Sequence, residues 1–544
     1  MIVKHRLQES RQLFIAVVLC LILVSCVSLE RDMNEDYIGP RTVTSVPAQP
    51  EEAIMAPETS REPPTIKPES PITVTVQNAI LLALEHNRAL KVEKFNPAIR
   101  RTGEDEERAA FDPILTGGYS RDREKSVIPS RPNRENLTNE IDAGLAVSEY
   151  LPTGTDVSLE LSTEQSWSNL YTDDLHESRV GLSITQALLR GGGVNYNLAS
   201  LRQARLDTRS SQFELRGFAE TLVARVEETY WNYALAQRQI KIFLESLKLA
   251  EQQKRETEEI IKIGSLAESE LTAAEAEIAL RREGLINARS DLGKTHLQLL
   301  RLLNPPDTNL WQRDIVLLHE PRIPEVTLDD VESHVGVALR MRPELNQARL
   351  QVQRGDLEIV KTKNGLLPKM DFFINLGKTG YAGSFSSSAN DIDGDSYDTI
   401  VGVSLAFPLV NREARARYRK SLISREQTEE AVKNLVQLVQ VDVRSAYIEV
   451  TRAKEQISAT AATRALQEEK ARIEAEKFRV GKSTTLLVAQ AQRDLLSSRI
   501  TEIETITNYL KALIELYRLE GSLLERRGIR APGRNPVRQL KSEH

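Results

Sequence analysis

The chain repeats itself along most of its length. The stretch KIGSLAESEL around Gly264 has a counterpart, RVGKSTTLLV, around Gly481, and matching stretches around Tyr230 and Tyr447 show the same offset of 217 residues. Upstream of these, VGLSITQAL matches VGVSLAFPL. The landmarks occur in the same order in both halves. This predicts two tandem copies of one structural unit, so the fold is that of one unit used twice.

Each predicted unit opens with a helix and continues into strands. The opening helices are expected at about 74–110 and 327–366, and they end where Pro113 and Pro368 turn the chain. The stretches VSLELSTE and VGVSLAF then alternate apolar with small or polar residues. An apolar face opposite a polar one suits the wall of a membrane barrel, although a soluble β-sandwich alternates in the same way. No later segment has eighteen uninterrupted apolar residues, so only closed strands are expected to cross a membrane.

Long helical hairpins follow the strands in each unit. Residues 412–480 contain no glycine or proline, and valines recur there at steps of three and four, as in Val432, Val436, Val439 and Val443. This spacing predicts a coiled-coil seam along a rod of roughly 100 Å. Composition agrees, because only 5% of residues are aromatic and 28% are charged. Such a chain favours extended helices over several compact cores.

The glycines at the ends of these rods are predicted to be hairpin tips. Gly264 and Gly481 stand where one helix ends and the next begins, and Ser265 and Ser483 are expected to cap the second helix. The run Gly481-Lys482-Ser483 resembles the end of a phosphate-binding loop. That loop requires a glycine where this chain has Glu476, and it follows a strand, whereas charged helix formers precede Lys482. We therefore predict an exposed tip and no nucleotide site.

The N-terminus predicts export and lipid attachment. A basic start, an apolar run and a small residue before Cys26 form a signal peptide, and Leu23-Val24-Ser25-Cys26 resembles the lipobox of bacterial lipoproteins. In that motif the cysteine is acylated after cleavage. The alternative is an ordinary signal peptide with an incidental cysteine. Val27 fits sorting to the outer membrane.

With these features the chain is similar to the TolC family of bacterial outer-membrane efflux proteins, over roughly residues 72–525. The tandem units, the two prolines and the two tips carry the resemblance. It implies a mainly α fold with a transmembrane β-barrel portion, formed by a homotrimer that shares one barrel and one periplasmic α-helical tunnel. It also implies contact with outer-membrane lipid, and docking of a periplasmic adaptor protein and an inner-membrane pump. In this family the adaptor meets the hairpin tips, here Gly264, Ser265, Gly481, Lys482 and Ser483.

Two departures from the family pattern are visible. Familiar members have two barrel strands per unit, whereas the first unit here holds 34 additional residues with a turn at Pro152-Thr153-Gly154. The chain therefore has four or six strands, and a trimer has twelve or eighteen. Familiar members also carry an aspartate ring beyond the second tip. Here the first acid is Asp494, so we assign no ring.

The resulting division of the chain has six parts. They are a signal peptide (1–25), a lipidated Pro-rich tether (26–71), a first repeat (72–304, with strands at about 114–189 and a long hairpin at about 195–303), a linker (305–326), a second repeat (327–525, with strands at about 369–409 and a long hairpin at about 412–520) and a basic C-terminal tail (526–544). We expect the tail to be disordered.

The leading hypothesis is a passive channel of a tripartite efflux or type I secretion system. No catalytic triad or zinc spacing occurs, so we predict no enzyme activity, cofactor or metal. A net charge of −6 gives no reason to expect nucleic acid as a partner. The alternative is a structural coiled-coil envelope lipoprotein without channel activity, in which the strands form a soluble domain.

Overall fold

A computed structural model describes residues 71–127, 135–168, 174–264, 266–306, 310–324 and 327–537. The predicted signal peptide, almost all of the tether, Cys26, Ser265 and the last seven residues lie outside this range. The described chain forms two compact units. One is built from residues 108–200 and 360–418, and the other from residues up to 107, residues 201–359 and residues from 419 onward.

The first unit is a sheet of six strands. The strands of the chain are β1 (Ile72–Val74), β2 (Ile114–Val127), β3 (Glu135–Leu151), β4 (Thr155–Ser168), β5 (Leu175–Ala187), β6 (Ile315–Leu317), β7 (Lys369–Ala382) and β8 (Tyr397–Ala406). The sheet has the order β2-β3-β4-β5-β7-β8, and every neighbouring pair is antiparallel. Of the two strand numbers that the sequence left open, the described sheet has six. The remaining strands, β1 and β6, form a short parallel pair in the second unit.

The additional hairpin lies between β3 and β4. Strand β3 ends at Leu151 and β4 begins at Thr155, and Gly154 between them has φ +88°. A Cβ atom at this position would lie 2.5 Å from the carbonyl oxygen of Gly191. Glycine is therefore required both for the left-handed backbone and for the close approach. This turn joins the two strands that distinguish the first half from the second.

The two faces of the sheet differ in polarity. One face carries an apolar band across all six strands, formed by Leu115, Leu145, Val147, Leu159, Leu161, Leu182, Ile184, Ile374, Leu376, Val401 and Val403. Many of these side chains are exposed, including Leu115 at 70% and Val403 at 56%. On the opposite face the guanidinium of Arg179 donates two hydrogen bonds to the carboxylate of Asp398, at 2.5 and 2.8 Å. Strict alternation along each strand separates the two faces.

Helices account for most of the second unit. The helices of the chain are α1 (Val76–His86), α2 (Arg88–Glu93), α3 (Phe95–Arg108), α4 (Val194–Asn197), α5 (Ala199–Lys262), α6 (Ser269–Leu303), α7 (Val331–Met341), α8 (Pro343–Asn364), α9 (Phe385–Asp391), α10 (Arg412–Arg479), α11 (Thr485–Leu519) and α12 (Leu523–Arg526). α5 has 64 residues and α10 has 68, and a 35-residue helix follows each of them. The two longest helices are each about 100 Å in length. No helix in the described part of the chain has the length and apolarity needed to cross a bilayer.

The opening helix of each half is broken, which corrects the single helices predicted from the sequence. In the first half the break is at Asn87, whose side-chain oxygen accepts a hydrogen bond from the N–H of Leu90. In the second half it is at Arg342, because Pro343 disfavours a helical backbone at the preceding residue. The angle ψ is 123° at Asn87 and 122° at Arg342. An asparagine cap and a proline therefore produce the same backbone break.

The core of the helical unit includes the predicted seam of α10. Val439, Val443 and Val450 are fully buried, as the steps of three and four predict. They belong to one apolar cluster with Tyr230 of α5 and Leu516 of α11. Full burial of each such aliphatic side chain contributes about 1.5–3 kcal/mol. The seam thus holds helices from both halves of the chain together.

The C-terminal segment is packed, which corrects the disorder predicted for the described part of residues 526–544. The side chain of Val537 is buried against Phe213 of α5. Its backbone N–H donates to the side-chain oxygen of Asn346 on α8 at 2.7 Å. We call residues 527–537 the C-terminal strap. The basic charge of the segment did not predict whether it is ordered, because a few buried apolar side chains hold it in place.

Candidate functional site

The second predicted tip, between α10 and α11, is a helix end closed by glycine. Gly481 has φ +72°, and its N–H donates to the carbonyl of Phe478 at 2.9 Å. The N–H of Lys482 donates to the carbonyl of Lys477 at 2.7 Å. Together these bonds form a Schellman motif. Lys482 therefore follows a helix, whereas the lysine of a phosphate-binding loop follows a strand and a glycine-rich turn.

Thr484 caps α11, which corrects the capping role predicted for Ser483. The Thr484 hydroxyl accepts a hydrogen bond from the N–H of Leu487 at 3.4 Å. The Ser483 hydroxyl instead donates to the carboxylate of Glu474 at 2.9 Å. The Lys477 ammonium, and after it this hydroxyl, lowers the pKa of Glu474. The prediction was wrong by one residue, because α11 begins only at position 485.

The first predicted tip has the same glycine but a different helix start. Gly264 has φ +75°, and its N–H donates to the carbonyl of Ile261 at 2.9 Å. Helix α6 begins at Ser269 with Glu268 at the cap position, and no side-chain hydrogen bond caps it. Ser265 lies outside the described residues, so its capping role stays a prediction.

Both tips expose an apolar side chain immediately before their glycine. Ile263 and Val480, which precede the two glycines, are 77% and 67% exposed. Leu486, in the first turn of α11, is 61% exposed, and Lys482 is exposed as well. Exposed apolar side chains clustered with charged ones are typical of surfaces that another protein covers. The described residues of the tips thus have the chemistry of a contact surface.

The charge pattern of β2 was not predicted from the sequence. Arg121, Arg123 and Lys125 lie on the face of the apolar band, whereas Asp122 and Glu124 lie on the polar face. The signal was present in the stretch SRDREKS, in which the sign of the charge changes at every residue. Applying the strand period to charge as well as to hydropathy would have found it.

The polar face also gathers carboxylates. Oxygens of Glu140, Asp142 and Glu164 lie within 4.8 Å of one another. Ser120 donates a hydrogen bond to Asp142 at 3.2 Å, so one member of this group is already engaged. An acidic group on a solvated face is not by itself a metal site, and we assign none. Its effect is to make this face of the sheet strongly negative.

A buried ion cluster in the helical unit was also missed. The side chains of Arg216 and Glu220 are 1% and 3% exposed, and their Nε and Oε1 atoms are 3.2 Å apart. Nη2 of Arg216 also lies 2.6 Å from the Glu525 carboxylate and donates to the carbonyl of Gly521 at 3.1 Å. Burial raises the pKa of Glu220 to about 8, although Arg216 opposes the shift. Arg216 and Glu525 are 309 positions apart in the chain, so no local pattern predicted the cluster.

Comparison with known proteins identifies the architecture. Residues 79–305 and 335–522 match the family described as "Outer membrane efflux protein", with one matched segment in each half of the chain. The chain belongs to this family. The predicted resemblance, the bacterial outer-membrane location and the export class are therefore confirmed. The family favours a channel over the alternative of a structural spacer.

Individual relatives and solved structures support the same family for this outer membrane efflux protein. The alkaline protease secretion protein AprF of Pseudomonas aeruginosa is 27% identical over 191 residues, which cover 35% of this chain and 40% of AprF. The outer-membrane channel OprN is 17% identical with a TM-score of 0.63, over 89% of this chain and 99% of OprN. The Campylobacter jejuni outer membrane channel CmeC is 14% identical with a TM-score of 0.63, over 89% of this chain and 94% of CmeC. At these identities the two structures show the shared fold.

Proposed function

We propose that this outer membrane efflux protein is the passive outer-membrane duct of a tripartite efflux or type I secretion system, and that it works as a homotrimer. The six-strand sheet is the observation that carries the proposal. Its outermost strands, β2 and β8, each have one edge without a partner in the described sheet. Unpaired strand edges recruit further strands, and membrane barrels need at least eight. Further copies of the chain meet both needs.

An even number of strands makes closure between copies simple. Because β2 and β8 run in opposite directions, β8 of one copy pairs antiparallel with β2 of the next. Three copies give eighteen strands, within the range in which barrels leave an aqueous channel. The apolar band then faces lipid and the polar face lines the channel. The resemblance to TolC-family channels supports three copies.

The hairpin tips are proposed to dock a periplasmic adaptor, through which an inner-membrane pump supplies the energy for transport. The proposed contact residues are Gly264, Ser265, Gly481, Lys482 and Ser483. The exposed Ile263 and Val480 support this role, because docking would remove them from water.

Lipid attachment at Cys26 is part of the same proposal. Cys26→Ala is expected to abolish acylation of the mature N-terminus, while the sheet still holds the protein in the membrane. Mass spectrometry of the mature N-terminus decides between the two readings of the signal peptide. An unacylated terminus that begins at another residue would contradict the anchor.

Conductance tests the channel itself. The purified protein is expected to conduct ions in planar bilayers and to give three copies by native mass spectrometry in detergent. A structural spacer would not conduct. A monomer that conducts would refute closure by shared strands, because six strands are too few.

Tip variants separate docking from conduction. Gly481→Val places a β-branched residue at φ +72° in otherwise open space, so we expect roughly 1–2 kcal/mol of local strain and an intact rod. Lys482→Glu changes only the charge of an exposed side chain. Both variants should conduct in bilayers yet fail to support efflux or secretion in cells. Lys420→Glu, the same change at an exposed position near the other end of α10, is the matched control.

A further inference from the structure

Charge is sorted by face along the second half of β2. Arg121 and Arg123 are exposed on the face that carries the apolar band, with the exposed Lys125 next in line. Asp122 and Glu124 occupy the polar face between them. Solubility alone does not require this order, because mixed charges on either face would serve it equally well.

The cations lie just beyond the apolar band. Tyr119 precedes Arg121 on the same face and is 72% exposed, and Tyr397 of β8, also on this face, is 75% exposed. Membrane barrels carry aromatic residues of this kind where the hydrocarbon layer meets the headgroups. The order along β2 is therefore apolar, aromatic, then basic. A strand that runs from the hydrocarbon core to an anionic headgroup layer needs its side chains in this order.

No carboxylate of the neighbouring strand positions neutralises the arginines. Arg121 and Arg123 pair across the sheet with Ile141 and Asn139 of β3, both uncharged. Lys378 of β7 adds a further exposed cation to this face. On β3 the acidic residues of this face are Glu149, at the opposite end of the strand, and Glu135, which pairs with Val127 beyond Lys125.

The topology indicates which leaflet these cations meet. Beyond Lys125 the strand ends at Val127 and leads into the connection to β3, so this end of the sheet carries strand-to-strand connections. The opposite end carries the β3–β4 turn, and there the chain also continues into helices, as after β8, where α10 begins at Arg412. On the proposed function those helices are periplasmic, so the basic residues lie in the leaflet that faces outward.

We infer that Arg121 and Arg123 bind the phosphate groups of lipids in the outer leaflet. This rests on the proposed function, which makes the apolar band the lipid-facing surface. A guanidinium forms two parallel hydrogen bonds with a phosphate, and residues two apart on a strand are about 6.7 Å apart. Two arginines can thus hold two phosphates of one headgroup or of adjacent headgroups. A carboxylate beside these arginines on β2 would repel the phosphates, which gives a reason for the sorting of charge along this strand.

Lipid A offers a direct probe. The full-length trimer in detergent is titrated with diphosphoryl lipid A, with the same lipid lacking its phosphates, and with inorganic phosphate, and binding is followed by native mass spectrometry. We expect the diphosphoryl form to bind most tightly. The variant Arg121→Gln/Arg123→Gln should bind it about ten- to thirtyfold more weakly, because each cation near an anionic lipid surface contributes about fivefold.

Two controls isolate the face and the charge. Asp122→Asn/Glu124→Gln changes the same strand on its other face and should leave lipid A binding at the wild-type level. Arg100→Gln/Arg101→Gln removes the same charge from exposed positions of α3 and should also have no effect. The single variants Arg121→Gln and Arg123→Gln repeat the measurement with less disturbance of the strand.

Three results would overturn the inference. They are equal lipid A binding by the Arg121→Gln/Arg123→Gln variant, equal binding of the dephosphorylated lipid by the wild type, and saturation by inorganic phosphate with no preference for the lipid. Conductance of the same preparation separates this failure from that of the proposed function. A trimer that conducts but shows one of these results keeps its function and loses the lipid site, whereas a preparation that does not conduct loses the function.

Discussion

At the residue scale, Glu220 is expected to make stability depend on pH. Its pKa is about 8 in the folded protein against an ordinary value of 4.5. Between these values the folded protein holds a proton that the unfolded chain has released, so this contribution to stability is complete below pH 4.5 and is lost as pH rises through 8. Glu220→Gln should remove this dependence of stability on pH. The variant should be roughly 1–3 kcal/mol more stable than the wild type at pH 8.5.

The measurement is the melting temperature of the detergent-solubilised protein at pH 5 and at pH 8.5. The wild type should lose more stability between the two than Glu220→Gln does. Glu214→Gln, at an exposed position of the same helix, is the control and should keep the wild-type slope. If the melting temperatures of Glu220→Gln and the wild type change equally between the two pH values, Arg216 keeps Glu220 ionised.

At the element scale, the C-terminal strap is expected to hold α5 and α8 together. Val537→Asp places a carboxylate where the valine is 3% exposed, so it should cost about 2–4 kcal/mol and release the strap. Limited proteolysis should then cut the strap sooner than in the wild type, and the melting temperature should fall. Arg534→Gln, at an exposed position of the strap, should change neither. Unchanged cleavage in Val537→Asp would mean that the strap contributes little to packing.

At the scale of the whole molecule, the additional hairpin is expected to set the width of the channel at the sheet. Deleting residues 135–168 removes β3 and β4 and joins β2 to β5, which still run in opposite directions. The faces stay matched, because Leu115 and Leu182 both belong to the apolar band. A trimer would then have twelve strands. Barrel diameter grows roughly linearly with strand number, so the channel should narrow to about two thirds.

Polymer exclusion measures this width. Poly(ethylene glycol) of graded size is added to the outward-facing side of a bilayer, and the largest polymer that still alters conductance is recorded. The deletion should lower this size limit while native mass spectrometry still gives three copies. If the polymer size limit is the same in both proteins, the strands do not form the narrowest passage on the outward-facing side.

Local features of the chain were predictable because they depend on neighbouring residues. Gly264 and Gly481 end their helices in the left-handed conformation that their positions required, and Pro113 and Pro368 stand just before strands. The turn at Gly154 was found from three residues. Ser483 and Thr484 stand side by side and can both cap a helix, and no local pattern distinguishes between them. The choice depended on Glu474, nine residues away, which engages Ser483.

By itself the sequence determined the duplication, the strand alternation and the long helices, because period, proline and glycine act over a few residues. Only the tertiary structure decided that β5 of the first half pairs with β7 of the second, and that Arg216 meets Glu525. It also decided that a basic tail packs through Val537. These contacts join positions that are hundreds of residues apart. Their free energy depends on surfaces that exist only after the helices and strands have formed, so no stretch of the sequence contains them.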